Sequence, residues 1–353
     1  MKGMSVLRPG AQGRPVRLAA VAPYLPSRVV TNADLVAAGA PLDADEMVRL
    51  SGIRARRFAA PDEATSDLAL AAARKALTWA GRAATDVDRL LVATVSPDHS
   101  SPGAACRTQT LLGMRTVPAM DIVAACSGFL YALDAAARAV MTGDEAVLAV
   151  AADVRSRFVD PLDRATCALF GDGAGAALVV PGHDPDAGLV AIGLLADGEG
   201  YASVQVPAGG SRRPIDAAAL ADRAQYVHMR SGPQVYLAAV EGMLGTAQRL
   251  LDALNLSFAD IDFVVPHQPN GRILDRLARL AGIPDEKVVK IIEDIGNISA
   301  ATVPVALHHL LASGRVKVGD RLLLLAAGAG YTAGAALLVV DAALLCAQAR
   351  EHG

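Results

Sequence analysis

The stretch GDEAVLAVAAD (143–153) has a second form further along the chain, GDRLLLLAAGAG (319–330). Each opens on a Gly-Asp turn and enters a short, wholly apolar run, which is the pattern of a strand buried on both faces. Their surroundings repeat as well. DRLLVATV (88–95) precedes the first and DFVVPHQ (262–268) the second, at nearly the same distance, while AGAALVV (174–180) follows the first and AGAALLVV (333–340) the second. Ala/Val/Leu strands resemble one another by chance, but here the order of all three pairs is kept. The economical reading is one α/β unit present twice, its copies packed face to face. The last pair lies closer in the second copy, which puts extra residues in the first half, between about 153 and 174.

Composition narrows the class. Lys plus Arg number 33 and Asp plus Glu 36, for a net charge of −3, and apolar residues make up 53% against 20% charged. Such a chain folds rather than stays disordered. Near-neutrality excludes the basic face or arm of a dedicated nucleic-acid binder. The 353 residues suit two ordinary domains or one large α/β unit, and with aromatics at 4% the core is filled by Ala, Val, Leu and Gly.

The four cysteines form no CxxC and no Cys/His cluster of zinc spacing. No disulfide framework and no metal site is expected, and the default setting is the reducing cytoplasm. Cys106, Cys167 and Cys346 lie in Ala- or Leu-rich stretches and read as core. Arg8, Arg14 and Arg17 stand among Pro and Gly without the apolar run of a signal peptide. Leu322 to Val340 is uncharged and long enough to span a bilayer. Its central Gly328, Gly330 and Gly334 instead divide it into two buried strands joined by a bend, so no membrane span is expected.

Elsewhere, strands are expected at 90–95, 146–152, 176–180, 262–267 and 321–327. Helices are expected at 65–81, 104–113, 126–142, 234–254, 270–281 and 300–313. This alternation predicts a layered α/β protein. The stretch 197–232, with Gly198, Gly200, Gly209 and Gly210, reads as a linker or surface excursion.

Three residues stand out chemically. Cys126 in DIVAACSGFLYALDAAARAVMTG (121–143) sits where an apolar strand gives way to a helix stopped by Gly143. A helix N-terminus favours a thiolate, the nucleophilic form, although a lone cysteine is more often buried and inert. His267 in VVPHQPNGRI (264–273) ends a strand and enters a loop, a common place for catalytic groups and equally for a histidine satisfied by its neighbours. His308 and His309, on a helix, and His352, on the tail, are weaker candidates. Asn297 in DIGNISAATVPVAL (294–307) precedes a helix and, in the repeat register, falls near the place of Cys126 in the first half. It serves equally as a plain N-cap.

The glycine runs do not bind a dinucleotide. GDGAG (171–175) leads into a strand and then Pro181-Gly182, whereas a phosphate loop needs a helix next. Gly328, Gly330 and Gly334 are likewise followed by a strand, and suit a close backbone approach that offers N–H groups to an oxyanion. The chain has no GxSxG, no Walker A motif and no HExxH.

Six motifs occur together and in order: SGIRARRFA (51–59), AACSGF (124–129), FGDGAGAA (170–177), VPHQPN (265–270), GNISAATVPVAL (296–307) and GAGYTAGAAL (328–337). With them the chain, from about Arg17 to Val340, resembles the β-ketoacyl-acyl-carrier-protein synthase III family of the thiolase fold. That resemblance implies duplicated βαβαβαββ halves in five α-β-α-β-α layers. The first half would span 17–185, the second 186–353, with 1–16 as an N-terminal extension. It implies a Cys–His–Asn triad at Cys126, His267 and Asn297, an oxyanion hole of the Cys126 and Ala329 backbone N–H groups, and a homodimer. No cofactor is implied beyond coenzyme A or phosphopantetheine thioesters as substrates.

The implied reaction is ping-pong. Cys126 takes an acyl group from an acyl-CoA or acyl-carrier donor. Malonyl-acyl carrier protein then loses CO₂, and its carbanion attacks the acyl-cysteine in a decarboxylative Claisen condensation that starts a fatty acid or polyketide. Where the family often has a partner-subunit Phe at the acyl-pocket floor, an ungapped match places Ser101, which implies a longer or bulkier primer. The family's tryptophan stacking on coenzyme A falls on Glu46 and a nearby arginine on Leu50, while Arg157 matches another coenzyme A contact. Arg272 matches the carrier-docking position. Two alternatives share the fold: an acyltransferase that passes the acyl group from Cys126 to an alcohol, amine or carrier without carbon–carbon bond formation, and a non-catalytic subunit. A papain-like hydrolase does not suit the duplication.

Overall fold

The computed structural model describes residues 4–349. Two five-stranded sheets organise the chain. The first runs in the order Val16–Tyr24, Asp172–Pro181, Val147–Val154, Arg89–Ala93, Ala119–Ile122. The second runs Ser5–Leu7, Gly188–Ala196, Thr332–Val339, Arg321–Gly328, Phe263–Pro266. In the first, Arg89–Ala93 pairs in parallel with both its neighbours; in the second, Phe263–Pro266 pairs in parallel with Arg321–Gly328; the other neighbouring pairs are antiparallel.

Alternation along the strands sets the layers. Leu91, Ala93, Val147, Ala149, Ala177 and Val179 face one way from the first sheet, and Leu322, Leu324 and Ala326 face them from the second. Between them lie the helices Gly128–Met141 and Thr302–Ala312, buried through Phe129, Leu130, Leu133, Val303, Leu307 and Leu310. Leu90, Val92, Leu148 and Leu178 point outward onto the helix Thr65–Ala80, whose Ala69, Ala72, Ala73 and Ala76 recur at helical spacing. Leu323 and Leu325 point outward onto the helices Gly232–Ala253 and Gly271–Ala281. The result is the five-layered α-β-α-β-α thiolase-like arrangement, with the small side chains of the sequence permitting close layers.

The duplication holds residue by residue. The register that places Asp88 on Asp262 also places Val147 on Arg321 and Gly128 on Thr302, the starts of matching strands and helices. The third strand of the second half is reduced to one bridge, Val264 to Val288. The extra residues of the first half are the connection 155–171, opposite the turn Ala329–Tyr331 in the second.

Several expectations are refined or corrected. Ser5–Leu7, within the N-terminal extension expected at 1–16, is the edge strand of the second sheet, paired with Gly188–Ala196. The nearness of Asn297 to the Cys126 position in the repeat register stands, with Ala300 as the direct counterpart in the matching turns Ala125–Ser127 and Ser299–Ala301. GDGAG is not a loop, since 172–175 already lie within a strand. The stretch 197–232 is no linker. It folds into a turn Gly198–Ala202, a two-stranded ribbon and a helix Ala217–Ala221. It bonds to both halves, Asp197 N–H to the Tyr331 carbonyl (3.2 Å) and Val227 N–H to the Phe158 carbonyl (2.7 Å). Cys167 is buried, but Cys106 and Cys346 are exposed on helix surfaces. His352 lies outside the described residues. Leu322–Val340 forms two antiparallel strands, and among the described residues no helix is long and apolar enough to cross a membrane.

The central layer leaves no room at Gly175, where a Cβ would lie 2.6 Å from Pro304 Cγ. Gly175→Ala is expected to destabilise the protein by about 1–3 kcal/mol through overpacking. Gly245, inside the outer helix Gly232–Ala253, has nothing within 4 Å of such a Cβ, and Gly245→Ala is expected to stabilise it by about 0.5–1 kcal/mol. Denaturant unfolding of the two variants checks both signs.

Candidate active site

The strand Ala119–Ile122 leads into the turn Ala125–Ser127, which carries Cys126 into the central helix. Ala125 adopts φ 47°, a left-handed conformation that turns the chain sharply enough to present the next side chain at the helix start. The hydroxyls of Ser127 and Thr332 lie 2.8 Å apart, and both reach the Ala124 carbonyl, at 2.8 and 3.0 Å, tying the turn to the strand that follows Ala329–Tyr331. Gly328 closes the join, since a Cβ there would sit 2.7 Å from the Cys126 backbone nitrogen. The backbones of Cys126 and of the Gly328–Ala329 segment, the two expected oxyanion donors, are thereby brought side by side.

From the second half come the other two groups. His267 follows the strand Phe263–Pro266, and its backbone N–H donates to the Leu325 carbonyl at 2.6 Å. The residue is 1% exposed, and its Nδ1 lies 2.5 Å from Thr302 Oγ1. Asn297 is held by its N–H to the Leu169 carbonyl and its carbonyl to the Gly171 N–H. Its Oδ1 accepts the Ser299 N–H at 2.9 Å. The Asn297 oxygen is therefore occupied, and the amide NH₂ is the half available to a ligand.

Ser299 joins the three. It has φ 55°, matching Ala125 across the duplication. Its Oγ is buried without a hydrogen-bond partner among the described residues and lies near enough to Cys126 to favour the ionised form of the thiol. Its carbonyl accepts the Thr302 hydroxyl at 2.8 Å, and Thr302 holds His267. Asn297 and His267 thus share one short hydrogen-bond network through Ser299 and Thr302, with Cys126 beside Ser299.

The electrostatics differ from the helix-terminus expectation. Burial pushes the Cys126 thiol up to about 11, and Asp153 adds to that rise. Ser299, the Arg155 charge and the cysteine's own backbone N–H work in the opposite direction without overcoming it. Burial drives His267 down to about 3. At neutral pH the pair is therefore thiol and neutral imidazole rather than thiolate and imidazolium. Arg155 is 6% exposed, and its guanidinium lies over the Phe158 and Phe170 rings at 5.6 and 5.4 Å from their centroids. Phe170 in turn bridges to Asn297.

The remaining candidates lie outside this network. Ser101 is on an exposed loop ahead of the helix Ala104–Leu112. Arg157 Nη2 is occupied by the carbonyls of Ala60, Pro61 and Glu63. Glu46 is ion-paired with Arg164 at 3.0 Å and approached by Arg49 at 3.7 Å, and Leu50 is partly exposed nearby on the same helix. Arg272 is exposed at the start of the helix Gly271–Ala281, where Asn270 donates to the Leu50 carbonyl at 3.0 Å. Among the described residues no group of three or more His, Cys, Asp or Glu is placed to hold a metal. Ser299, Thr302 and Arg155 are missed by sequence reasoning. The spacing N-x-S-x-x-T (297–302), three hydrogen-bonding side chains at a helix start, is the signal that finds two of them. Nothing in the sequence marks Arg155.

Solved structures share this frame. The 3-oxoacyl-[acyl-carrier-protein] synthase III of Aquifex aeolicus VF5 superposes with a TM-score of 0.83 at 35% identity, covering 92% of this chain and 100% of that one. The priming β-ketosynthase of the R1128 polyketide pathway gives a TM-score of 0.83 at 32% identity, covering 93% and 97%. These define a condensing enzyme of the thiolase fold, an acyltransferase class. The family models for 3-oxoacyl-[acyl-carrier-protein] synthase III and its C-terminal part match residues 120–198 and 251–340. The β-ketoacyl-[acyl-carrier-protein] synthase III of Solibacter usitatus is 42% identical over 324 residues, 91% of this chain and 97% of that protein. The chain belongs to the β-ketoacyl-[acyl-carrier-protein] synthase III family.

A thiol raised to about 11 leaves on the order of one thiolate in 10⁴ at pH 7. Because the thiolate is the deprotonated form, reactivity rises with pH. Iodoacetamide alkylation of Cys126, followed on its own peptide, is expected to accelerate about tenfold per pH unit from 7 to 10 without a plateau. A plateau near pH 7 overturns the neutral pair. Arg155→Leu removes a charge that stabilises the thiolate and is expected to slow alkylation at pH 9 about three- to tenfold.

Proposed function

We propose that the protein performs the priming condensation of its family: Cys126 accepts an acyl group from a thioester donor, and the acyl-enzyme condenses with malonyl-acyl carrier protein as CO₂ leaves. The observation that carries this is the state of Asn297. With its oxygen taken by Ser299, it turns an NH₂ donor toward a ligand, in the same network as an uncharged His267. Two donors of that kind stabilise the thioester enolate left by decarboxylation. Acyl transfer to an alcohol or amine has no enolate to stabilise, so the alternative without carbon–carbon bond formation leaves Asn297 without a task. The backbone N–H groups of Cys126 and Ala329 hold the tetrahedral oxyanion, where loss of one donor costs about 2.7–4 kcal/mol.

The donor and primer follow from the departures already noted. An anion at Glu46, neutralised by Arg164 and Arg49, offers no stacking surface for an adenine. Arg157 is engaged with backbone carbonyls. Both favour an acyl-carrier donor over free coenzyme A. A homodimer is supported by the edge strand Ala119–Ile122, which leaves Met120 46% and Val123 77% exposed. In such a dimer Ser101, small where the family often has Phe, would deepen the partner's acyl pocket and admit primers longer than acetyl.

Intact-mass analysis after incubation with acetyl to decanoyl groups on coenzyme A or carrier protein is expected to show Cys126 acylated best by medium-chain carrier thioesters. Acetyl-CoA as the preferred donor defeats the primer assignment. Asn297→Ala is expected to reduce CO₂ release from malonyl-carrier protein about 10²-fold or more while leaving Cys126 acylation largely intact. Equal loss in both steps removes the enolate role. Arg272→Glu is expected to raise KM for malonyl-carrier protein with little change in acylation, and an unchanged KM rejects docking at that position.

A further inference from the structure

Two arginines among the described residues are buried, and their surroundings differ. Arg56 donates to three acceptors. Arg155 donates to none: its guanidinium has no hydrogen bond or ion pair among the described residues. Asp153, the carboxylate closest to it in sequence, is turned to other donors, its Oδ1 taking the Thr94 hydroxyl, the Val95 N–H and the Ser96 hydroxyl at 3.1, 2.8 and 2.9 Å. The Phe158 and Phe170 rings attract the charge but accept no ordinary N–H hydrogen bond. None of its nitrogens is sealed away, as the Nε of Arg56 is. Arg155 is therefore a recessed cation whose five N–H donors remain reachable and unmet. Such a group is costly to keep unless an anion comes to it.

Its place says which anion. Arg155 opens the connection 155–171, which the second half lacks, and Phe170 near the end of that connection pairs with Asn297. From there its charge reaches Cys126. We propose that Arg155 is a specificity-determining residue that pairs with a carboxylate at the far end of the acyl primer. The primer class is then the half-thioester of a dicarboxylic acid. The inference rests on the reading of Cys126 as the acyl acceptor and of a primer longer than acetyl, and it narrows the second.

In the transfer a bond forms between Cys126 Sγ and the thioester carbonyl carbon, and the bond to the carrier sulfur breaks. The thiol proton leaves with the carrier thiol, and the distal carboxylate is unchanged throughout. A planar guanidinium suits that end, because two parallel N–H bonds fix a carboxylate where a point charge would not. The malonyl carboxylate is the poorer match. A cation held on it stabilises the charge that must leave it as CO₂ forms, and so opposes decarboxylation.

Matched primers on carrier protein test this: glutaryl, adipyl and pimeloyl against 5-methylhexanoyl, 6-methylheptanoyl and 7-methyloctanoyl, whose forked ends have the shape of a carboxylate without its charge. Single-turnover acylation of the full-length enzyme is followed by intact mass, with Cys126→Ala as the blank. At least one charged chain is expected to react about ten- to a hundredfold faster than its neutral match. Arg155→Leu is expected to lower that ratio about tenfold or more. A general loss of thiol reactivity slows both members of a pair and cancels in the ratio, so an unchanged ratio overturns the proposal. Arg155→Lys keeps the charge and is expected to keep a weakened preference; a preference reversed there overturns the proposal too. So does an unsubstituted enzyme that takes the neutral member of every pair faster, which decides the matter even if neither variant folds. A raised KM for malonyl-carrier protein in Arg155→Leu, with primer ratios unchanged, assigns the cation to the extender and overturns the primer role. Failure of every chain to modify Cys126 defeats the acyl-acceptor reading itself, whereas neutral chains that react with no charged advantage defeat only this one.

Discussion

Two peptide units in the left-handed region, at Ala125 (φ 47°) and Ser299 (φ 55°), are the constraint on which the site depends. A residue with a Cβ pays for that conformation, by something on the order of 1 kcal/mol. Each turn leads from the end of its half toward a central helix, and the two helix starts meet: a Cβ on Gly128 would lie 3.4 Å from that of Ala300. Relaxing either turn to an ordinary conformation would swing Cys126 away from Gly328, or Ser299 away from both Asn297 and the sulfur. The sheets on either side, buried on both faces and rigid, supply the packing that holds the two turns in place.

That placement explains the charge state. The position at the meeting of two helix starts is deep, and desolvation acts on Cys126 and His267 in opposite senses, raising one and lowering the other. The helix N-terminus, Ser299 and Arg155 oppose the rise of the thiol but do not cancel it. Cys126 and His267 therefore rest uncharged, and in the proposed reaction charge would appear there only as thiolate, oxyanion or enolate. Donors set in advance toward those atoms are worth more in such surroundings than in water. A permanently ionised pair would hold solvent and counter-charges where substrate must lie.

Much of this was legible in the residues, unevenly. The doubled strand motifs reported the two sheets, and the offset between the AGAAL copies located the inserted connection 155–171. Cys126, His267 and Asn297 were readable because each interrupts an apolar pattern at an element end. What was not legible depended on distance between segments far apart in the chain. The repeat register placed Asn297 near Cys126, with Ala300 as the direct counterpart, but not the Thr302 hydroxyl that holds His267. Cys106 and Cys346 looked like core from composition, yet lie on the outward faces of Ala-rich helices, where alanine gives little contrast between faces. Ser5–Leu7 joined a sheet built from residues nearly two hundred positions later, which no local pattern announces.

The SGIRARRFA motif shows how a segment remote in sequence enters the same machinery. Arg56 is fully buried and pairs with no carboxylate among the described residues. It donates instead to the Asn32 side chain at 2.7 Å, the Val30 carbonyl at 3.3 Å and the Ala168 carbonyl at 2.7 Å, and burial pushes its guanidinium down to about 10. A charge buried that way is tolerated only where several dipoles face it. One of those dipoles, the Ala168 carbonyl, belongs to the segment that runs into Leu169–Gly171, which grips the Asn297 backbone from both sides. Cβ atoms on Gly171 and Gly296 would each sit 3.1 Å from Arg56 Cβ, so the arginine's stem is also the floor beneath the loop. Replacing the guanidinium would leave three polar groups unpaired and the Asn297 loop unsupported at once. The Asn297 amide proposed to meet the substrate is thus supported by a cation that makes no hydrogen bond to it.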